Sequence, residues 1–261
     1  MCGAGSTLTL YELGQKQLLR KSELKGLPSL VSFIKPISAE RIVLGDSQES
    51  VYFIMYSKQE NSFSVFADDI MSRMCTCGDI LDPNTCVSGD KFGNVFVLRL
   101  PPGATGSDPR SRAAQSRTTI WDQGNLGGAP HKLDLIAHFH VGEIVTAIQK
   151  CTLAPGRSEI LLYGTVFGSI GSFVPFASRD DLDFFANLEL HLRKLYKNIL
   201  GRDHFQYRSY STPVKSVIDG DLCEVYSKLE RDVQAKIAKE MDQSVEDIIR
   251  RIEEIRGNIL W

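Results

Sequence analysis

Gly45-Asp46-Ser47-Gln48-Glu49-Ser50, followed by the apolar run Val51-Tyr52-Phe53-Ile54-Met55-Tyr56, is one copy of a pattern that recurs along the chain. Gly89-Asp90 stands 44 residues later and precedes Gly93-Asn94 and the run Val95 to Leu100. A third copy opens at Gly164-Thr165, with Gly168-Ser169 and the run Ile170 to Phe176. It lies 75 residues beyond the second, the same step lengthened by 31 residues of polar insertion around 101–131. One step back from Gly45 places Gly5-Ser6-Thr7 in register with Gly93-Asn94-Val95. A period near 44 with several short strands per unit is the signature of a β-propeller blade, and on this count the chain begins inside a blade. The glycines at 45, 89 and 164 are expected in tight turns between antiparallel strands, where a positive φ is cheap only without a Cβ.

Short strands fill the chain up to about residue 176. Leu8 and Leu10 with Thr7, Thr9 and Tyr11 make one, Gly14 a turn, and Leu18-Leu19 the next. Val31, Phe33 and Ile42-Val43-Leu44 complete a unit, and Val51–Tyr56, the turn Ser57–Asn61 and Phe63, Val65 and Phe66 repeat it. β-Branched and aromatic residues dominate these runs, and Gly, Asn, Asp and Ser punctuate them. Pro101 to Pro130 breaks the rhythm. It is rich in Gly, Ser, Pro and Arg, and Ile120, Trp121 and Leu126 are its only large apolar anchors. Such a composition predicts a mobile surface loop. A solvated loop is preferred over RNA contact or phosphorylation for Arg110, Arg112 and Arg117 among their serines.

After Phe176 the apolar period changes to 3.6. Ser178 with Asp181 reads as a helix start, and Leu182, Phe185, Leu188, Leu192 and Leu195 line one face, with Gly201 as a stop. Asp221 with Glu224 opens a second helix whose Leu222, Val225, Tyr226 and Leu229 face inward. Val233, Ile237 and Met241 mark a third. Ser244 with Asp247 starts the last, striped by Val245, Ile248, Ile249, Ile252 and Ile255. The fold class is therefore mainly β with a helical C-terminal domain. A partial β-propeller of about four antiparallel four-stranded blades covers 1–177, with the loop 101–130, and an α-helical domain covers 178–261.

Charge is nearly balanced, with 30 Lys+Arg against 32 Asp+Glu, and the part after residue 177 carries 14 basic and 16 acidic residues. Neither half has the field of a dedicated nucleic-acid binder. Cys2, Cys75, Cys77, Cys86, Cys151 and Cys223 show no disulfide framework spacing, which favours a reducing interior. No apolar stretch reaches the length of a membrane span, and a soluble intracellular protein is expected.

The candidate chemistry is thin. Cys75, Cys77 and Cys86 with His138 and His140 have the ligand types for zinc, but structural zinc favours wider knuckles than Cys-x-Cys. Buried thiols and ordinary polar-face histidines, opposite Leu135, Ala137, Phe139 and Val141, are the preferred reading. No G-x-S-x-G elbow or Cys–His setting is present. Gly124, Gly127 and Gly128 lack the Lys-Ser/Thr of a phosphate cradle. Of the acidic pairs, Asp68-Asp69 suggests nothing further, and Asp180-Asp181 fits a helix N-terminus. No metal, no cofactor and no catalytic activity are expected.

Several longer words carry a resemblance. Leu44-Gly45-Asp46-Ser47-Gln48-Glu49-Ser50, Phe66-Ala67-Asp68-Asp69 and Gly89-Asp90-Lys91-Phe92-Gly93-Asn94 are three of them. Phe139-His140-Val141-Gly142-Glu143, Gly201-Arg202-Asp203-His204 and Val217-Ile218-Asp219-Gly220-Asp221-Leu222-Cys223-Glu224 are others. They resemble the C-terminal region of a scaffold superfamily. It comprises the large cleavage-and-polyadenylation factor subunit, the large damaged-DNA-binding subunit and subunit 3 of splicing factor 3b. Leu98-Arg99-Leu100-Pro101-Pro102, Trp121-Asp122 and Val174-Pro175-Phe176 resemble the splicing branch.

The resemblance implies three seven-bladed propellers and a helical domain in a chain several times longer, of which the end of the third propeller and the helical domain stand here. It also implies a non-catalytic nuclear scaffold in the U2 small nuclear ribonucleoprotein. Its partners there are the helical-repeat and small subunits of the splicing factor 3b complex, and U2 RNA and pre-mRNA are engaged mainly through other subunits. The alternatives are a propeller adaptor of a cullin-type ubiquitin ligase, or a cleavage/polyadenylation scaffold with nucleic-acid binding. Within the chain, Gly201 to Glu224 is expected to dock the helical domain. Arg202, Asp203, His204, Phe205, Tyr210, Asp219, Asp221 and Glu224 are its candidate residues, with Phe205 buried and Asp221 capping its own helix.

Overall fold

The computed structural model describes residues 1–104, 128–195 and 201–260, with the backbone alone at 258–260. The insertion residues Arg110, Arg112, Arg117, Ile120, Trp121, Gly124, Leu126 and Gly127 lie outside the described residues. Two compact units divide the chain: Met1–Gln149 with Tyr163–Ile170, and Lys150–Leu162 with Gly171–Trp261.

The first part of the chain is built from short strands in four separate sheets. β1 (Cys2–Ala4), β2 (Thr7–Leu13) and β3 (Leu18–Lys25) form the first, in that order. β4 (Val31–Pro36), β5 (Arg41–Asp46), β6 (Val51–Ser57) and β7 (Ser62–Asp68) form an antiparallel second sheet. The third joins β8 (Cys75–Asp82), β9 (Thr85–Asp90), β10 (Asn94–Arg99) and, beyond the insertion, β12 (Asp134–His140). A short β11 (His131–Lys132) pairs parallel with β7. The fourth is β13 (Val145–Cys151), β14 (Ile160–Thr165) and β15 (Ile170–Phe173). None closes into a barrel. The strands expected around Leu8, Leu18, Val31, Ile42, Val51 and Phe63 are present, as is the Gly14 turn, whose N–H reaches the Gln17 carbonyl. β8 and β13 have no counterpart among the expected strands, and the run Ile170 to Phe176 is strand only to Phe173.

Why these runs are apolar at nearly every position follows from burial on both faces of the second sheet. Ile42, Leu44, Ile54, Tyr56 and Phe63 pack with Leu8 and Leu27 on one side. Val43, Val51, Phe53 and Phe66 pack with Phe96, Leu98 and Leu133 on the other. Successive side chains point to opposite faces, so a strand covered on both sides has no polar face to alternate with.

The recurring glycines correct the expected physical reason. Gly45, Gly89 and Gly164 each occupy the penultimate position of a strand, an equivalent place in three sheets, rather than a turn. Gly45 opposes Val51 and Gly89 opposes Val95 across the hairpin. Positive φ belongs to the later glycines of the pattern, +85° at Gly93 and +88° at Gly168, with Gly5 at +58° in register. What Gly45 and Gly89 provide is room. A Cβ on Gly45 would lie 2.1 Å from the Phe33 ring, and one on Gly89 2.7 Å from Val145 Cβ. Between strand and turn, Asp46 Oδ1 accepts the N–H groups of Gln48 (2.8 Å) and Glu49 (3.0 Å). Asp90 Oδ1 does the same for Phe92 (2.8 Å) and Asn94 (2.9 Å), and Thr165 Oγ1 accepts from Ser169 (3.1 Å).

The end of the insertion is anchored, contrary to a loop that floats as far as Pro130. Ala129 is buried and donates its N–H to Asp68 Oδ2 at 3.1 Å, Lys132 Nζ meets Asp68 Oδ1 at 2.5 Å, and the Leu133 N–H reaches the Asp68 carbonyl.

In the C-terminal unit, α1 (Arg179–Leu195), α2 (His204–Tyr207), α3 (Gly220–Glu224), a 3₁₀ turn (Val225–Lys228), α4 (Arg231–Glu240) and α5 (Val245–Leu260) follow one another. Their core gathers Phe184, Phe185, Leu188, Leu192, Leu222, Tyr226, Ile237, Ile248 and Ile252. Ser244 caps α5 as its spacing foretells, its hydroxyl accepting the Asp247 N–H (3.1 Å) and meeting the Asp247 carboxylate (2.7 Å). On α1 the expected face is too long, since Leu182 and Leu195 at its ends are exposed and Phe184 is buried instead.

Gly45→Ala should destabilise the chain by about 1–3 kcal/mol, as overpacking does. Combined with Phe33→Leu, which withdraws the ring, it should cost less than the sum of the single changes in denaturant titrations. Full additivity would refute the slot.

Candidate functional site

The segment from Gly201 to Glu224 organises around one buried carboxylate, Asp219. It precedes α3 in an extended conformation, and its Oδ1 accepts the N–H groups of Asp221 (3.0 Å) and Leu222 (3.3 Å). Asp219, rather than Asp221, is therefore the cap; the Asp221 side chain is 87% exposed. The other oxygen, Oδ2, meets His204 Nε2 and the Nε of Arg208, both at 2.6 Å. The Asp219 N–H in turn donates to Glu189 Oε1 of α1 at 2.9 Å. Burial alone would raise the Asp219 pKa, but the bonds from His204 and Arg208 outweigh it and hold the carboxyl below its ordinary value. Glu189 moves the other way: burial raises it despite the Asp219 N–H.

A second pair flanks this knot. Arg193 grips Asp203 through Nε (2.7 Å) and Nη2 (2.9 Å), and its guanidinium lies 3.8 Å from the Phe205 ring centre. Of the candidate residues, the fold thus joins His204, Asp219 and Asp221 through Arg208, and Asp203 and Phe205 through Arg193. Phe205 is half-buried rather than fully buried, Glu224 is half-buried, and Arg202 and Tyr210 are exposed. Glu189 and Arg193 were missed by sequence reasoning. The legible signal was an acid within the apolar stripe of α1, between Leu188 and Leu192.

In the first unit, the cysteine and histidine set takes a different form from a metal site. Cys75, Cys77 and Cys86 are buried and free, and burial pushes the Cys75 thiol up to about 12 and raises the other two. No group of three or more metal-ligating side chains is assembled among the described residues. His138 departs from the expected polar face, being 1% exposed with neither ring nitrogen hydrogen-bonded. His140 Nδ1 lies 2.9 Å from Asn94 Oδ1. Asp68 and Asp69 diverge: Asp68 anchors the end of the insertion, whereas Asp69 accepts from Arg73 Nε (2.6 Å) and the Ser50 hydroxyl (2.8 Å). Arg73 is buried, lies 4.6 Å from the Phe96 ring centre, and together with burial drives the His138 pKa down to about 4.

Among the described residues the chain presents antiparallel sheets and a helical unit built around the Asp219 knot. Among the same residues His204 Nδ1 has no hydrogen-bond partner. No helix among the described residues is long and apolar enough to cross a membrane. Residues 1–228 match the family model described as the CPSF A subunit region. The chain is 45% identical over 260 residues to the probable splicing factor 3B subunit 3 of Dictyostelium discoideum, covering 100% of this chain and 20% of that protein. Against spliceosome-associated protein 130 A of Arabidopsis thaliana it is 45% identical over 260 residues, covering 100% and 21%. Against splicing factor 3B subunit 3 of Danio rerio the figures are 43% over 256 residues, 98% and 21%. The chain belongs to the family of the CPSF A subunit region. The resemblance carried by the sequence words is borne out, and the chain spans about a fifth of the length of these curated relatives.

Asp219→Ala should cost about 3–5 kcal/mol, because it leaves Arg208 and His204 buried without their carboxylate and uncaps α3. Asp221→Ala should change stability by no more than about 0.5 kcal/mol. Similar losses in both, read from denaturation midpoints, would return the cap to Asp221.

His138 gives a pH signature. Its ordinary value is 6.5 and the folded value is about 4, so between those limits the unfolded chain binds the extra proton. Stability from this site is complete above pH 6.5 and falls as pH drops through the window, by about 3 kcal/mol in total. His138→Phe should flatten the acid-side loss relative to the parent; parallel curves would show the imidazole is not the cause.

Proposed function

We propose that the chain serves as a non-catalytic scaffold of the splicing factor 3b complex in the U2 small nuclear ribonucleoprotein, acting in the nucleus through protein–protein contacts that support branch-site recognition. The observation that carries this reading is identity of 45% along the whole chain with proteins named as a probable splicing factor 3B subunit 3 and a spliceosome-associated protein. The chemistry is compatible with it. Burial raises the Cys75, Cys77, Cys86 and Cys223 thiols, and Asp219 and Asp90 accept from backbone N–H groups.

In this reading the sheets are blades of a partial propeller over 1–177, and 178–261 is a helical domain. Support comes from the equivalent strand-end glycines and the repeated side-chain acceptor that follows each. The Arg202 to Glu224 segment is read as a docking element. Its polar knot fixes the backbone, while the exposed Tyr207 and Tyr210 offer ring area to a neighbour.

Affinity purification of the tagged chain from nuclear extract tests the scaffold reading. Recovery of splicing factor 3b subunits with U2 RNA is the expected result. A cullin with substrate receptors, or cleavage and polyadenylation subunits, would overturn it in favour of another branch.

A further inference from the structure

A recess of about 850 Å³ opens in the first unit where strand ends from two sheets meet. Arg41 at the start of β5 and Met55 of β6 form one wall. Asp82 and Asn84 of the β8–β9 hairpin, Arg99 at the end of β10 and Leu100, Pro101 and Pro102 after it form the others, together with Asp134.

Its cations are unequal. Arg99 donates from Nε to Thr85 Oγ1 at 2.8 Å and has Asp82 at 3.9 Å. Arg41 has no ion-pair partner among the described residues. One Nη2 donates to Asn84 Oδ1 at 3.2 Å, and its guanidinium lies 5.6 Å from the Phe66 ring centre. Its Nε is buried with no acceptor. A guanidinium is a planar fork whose natural complement is a carboxylate or phosphate, and a buried donor left unmet is costly.

We propose that this recess is a docking site for one carboxylate of an acidic peptide segment in a protein partner, the carboxylate on Arg41 and a neighbouring apolar side chain against Met55, Leu100 and Pro101. Charge selects this ligand over a phosphate. The recess holds two arginines and two aspartates, and beside Asp82 and Asp134 a singly charged carboxylate meets less repulsion than a dianion would. The apolar wall has no counterpart in a nucleic-acid backbone but suits a Leu or Ile side chain. The site stands on this geometry and not on the splicing assignment, so either can fail without the other.

The test follows the Arg41 Nε–H resonance of the intact chain with isotope-labelled arginine, assigned by its loss in Arg41→Lys. Acetyl-Asp-Leu-amide should shift it saturably, and acetyl-Asn-Leu-amide and inorganic phosphate should not. Arg41→Lys should weaken binding, followed by the Leu100 methyl resonances, at least about tenfold. Asn84→Asp, which gives Arg41 a carboxylate from within the chain, should abolish binding while keeping the fold. Equal binding of the Asn probe, tighter binding of phosphate, unchanged affinity in either variant, or no binding by any probe would each overturn the proposal. So would tighter binding after Asp108→Asn with Asp122→Asn, which would make a carboxylate of this chain the occupant.

Discussion

The β unit depends on a close approach between neighbouring sheets, made possible by glycines set in strands. The Phe33 ring of β4 lies where side chains at Gly45 and Gly78 would stand, one glycine in its own sheet and one in the next. Gly3 makes the same room for Val31, and Gly89 for Val145. In each case the guest comes from the first strand of a sheet. The approach brings both faces of the second sheet against neighbours, which is why Val43 and Leu44, adjacent in sequence, belong to different buried clusters. Dispersion and apolar burial reward this stacking only at contact distance, so one added methyl group opposes the whole arrangement.

Stacking of this kind leaves backbone groups to be satisfied at every hairpin, and side-chain acceptors do it. Asp46, Asp90 and Thr165 occupy one position and perform one task with two chemistries, a carboxylate twice and a hydroxyl once. Asp219 performs the helical version, closing the first N–H groups of α3 while neutralising Arg208. Of these carboxylates Asp219 is held below its ordinary value by His204 and Arg208 despite its burial, whereas burial raises Asp90 despite its bonds to Asn94 and Phe92. Asp46, Asp90, Thr165 and Asp219 are thus committed to holding the fold.

Strand runs, the helix after Phe176 and the Ser244 cap were legible because each is fixed by residues within a few positions of one another. The reason for the glycines was not, since a period of 44 residues does not separate a positive-φ turn from a close approach; only the neighbouring sheet reveals Phe33 in the slot. The choice of Asp219 over Asp221 was hidden for a similar reason. Both stand before α3 at plausible positions, and the tie is broken by His204, Arg208 and Glu189, which lie 11 to 30 residues away. His138 misled by alternation: in a sheet covered on both sides, the position opposite an apolar residue is also interior. Chain words, by contrast, carried the family directly.

At the margins of the sheets, where strands end, no neighbouring strand supplies a partner and side chains complete the hairpins. Opposite the ends closed by Asp46, Asp90 and Thr165, the hairpins have acceptors of their own, Ser38 Oγ for the Arg41 N–H and Asp82 Oδ1 for the Asn84 N–H. These bond the backbone and leave the Arg41 guanidinium with the Asn84 amide oxygen. Aspartate at the β8–β9 turn pairs loosely with Arg99 and leaves Arg41 to an amide oxygen, a weaker acceptor than a carboxylate. A fold assembled by repetition therefore differentiates its two margins. Both are closed by local hydrogen bonds to the backbone, and the second also carries a guanidinium without an ion-pair partner among the described residues.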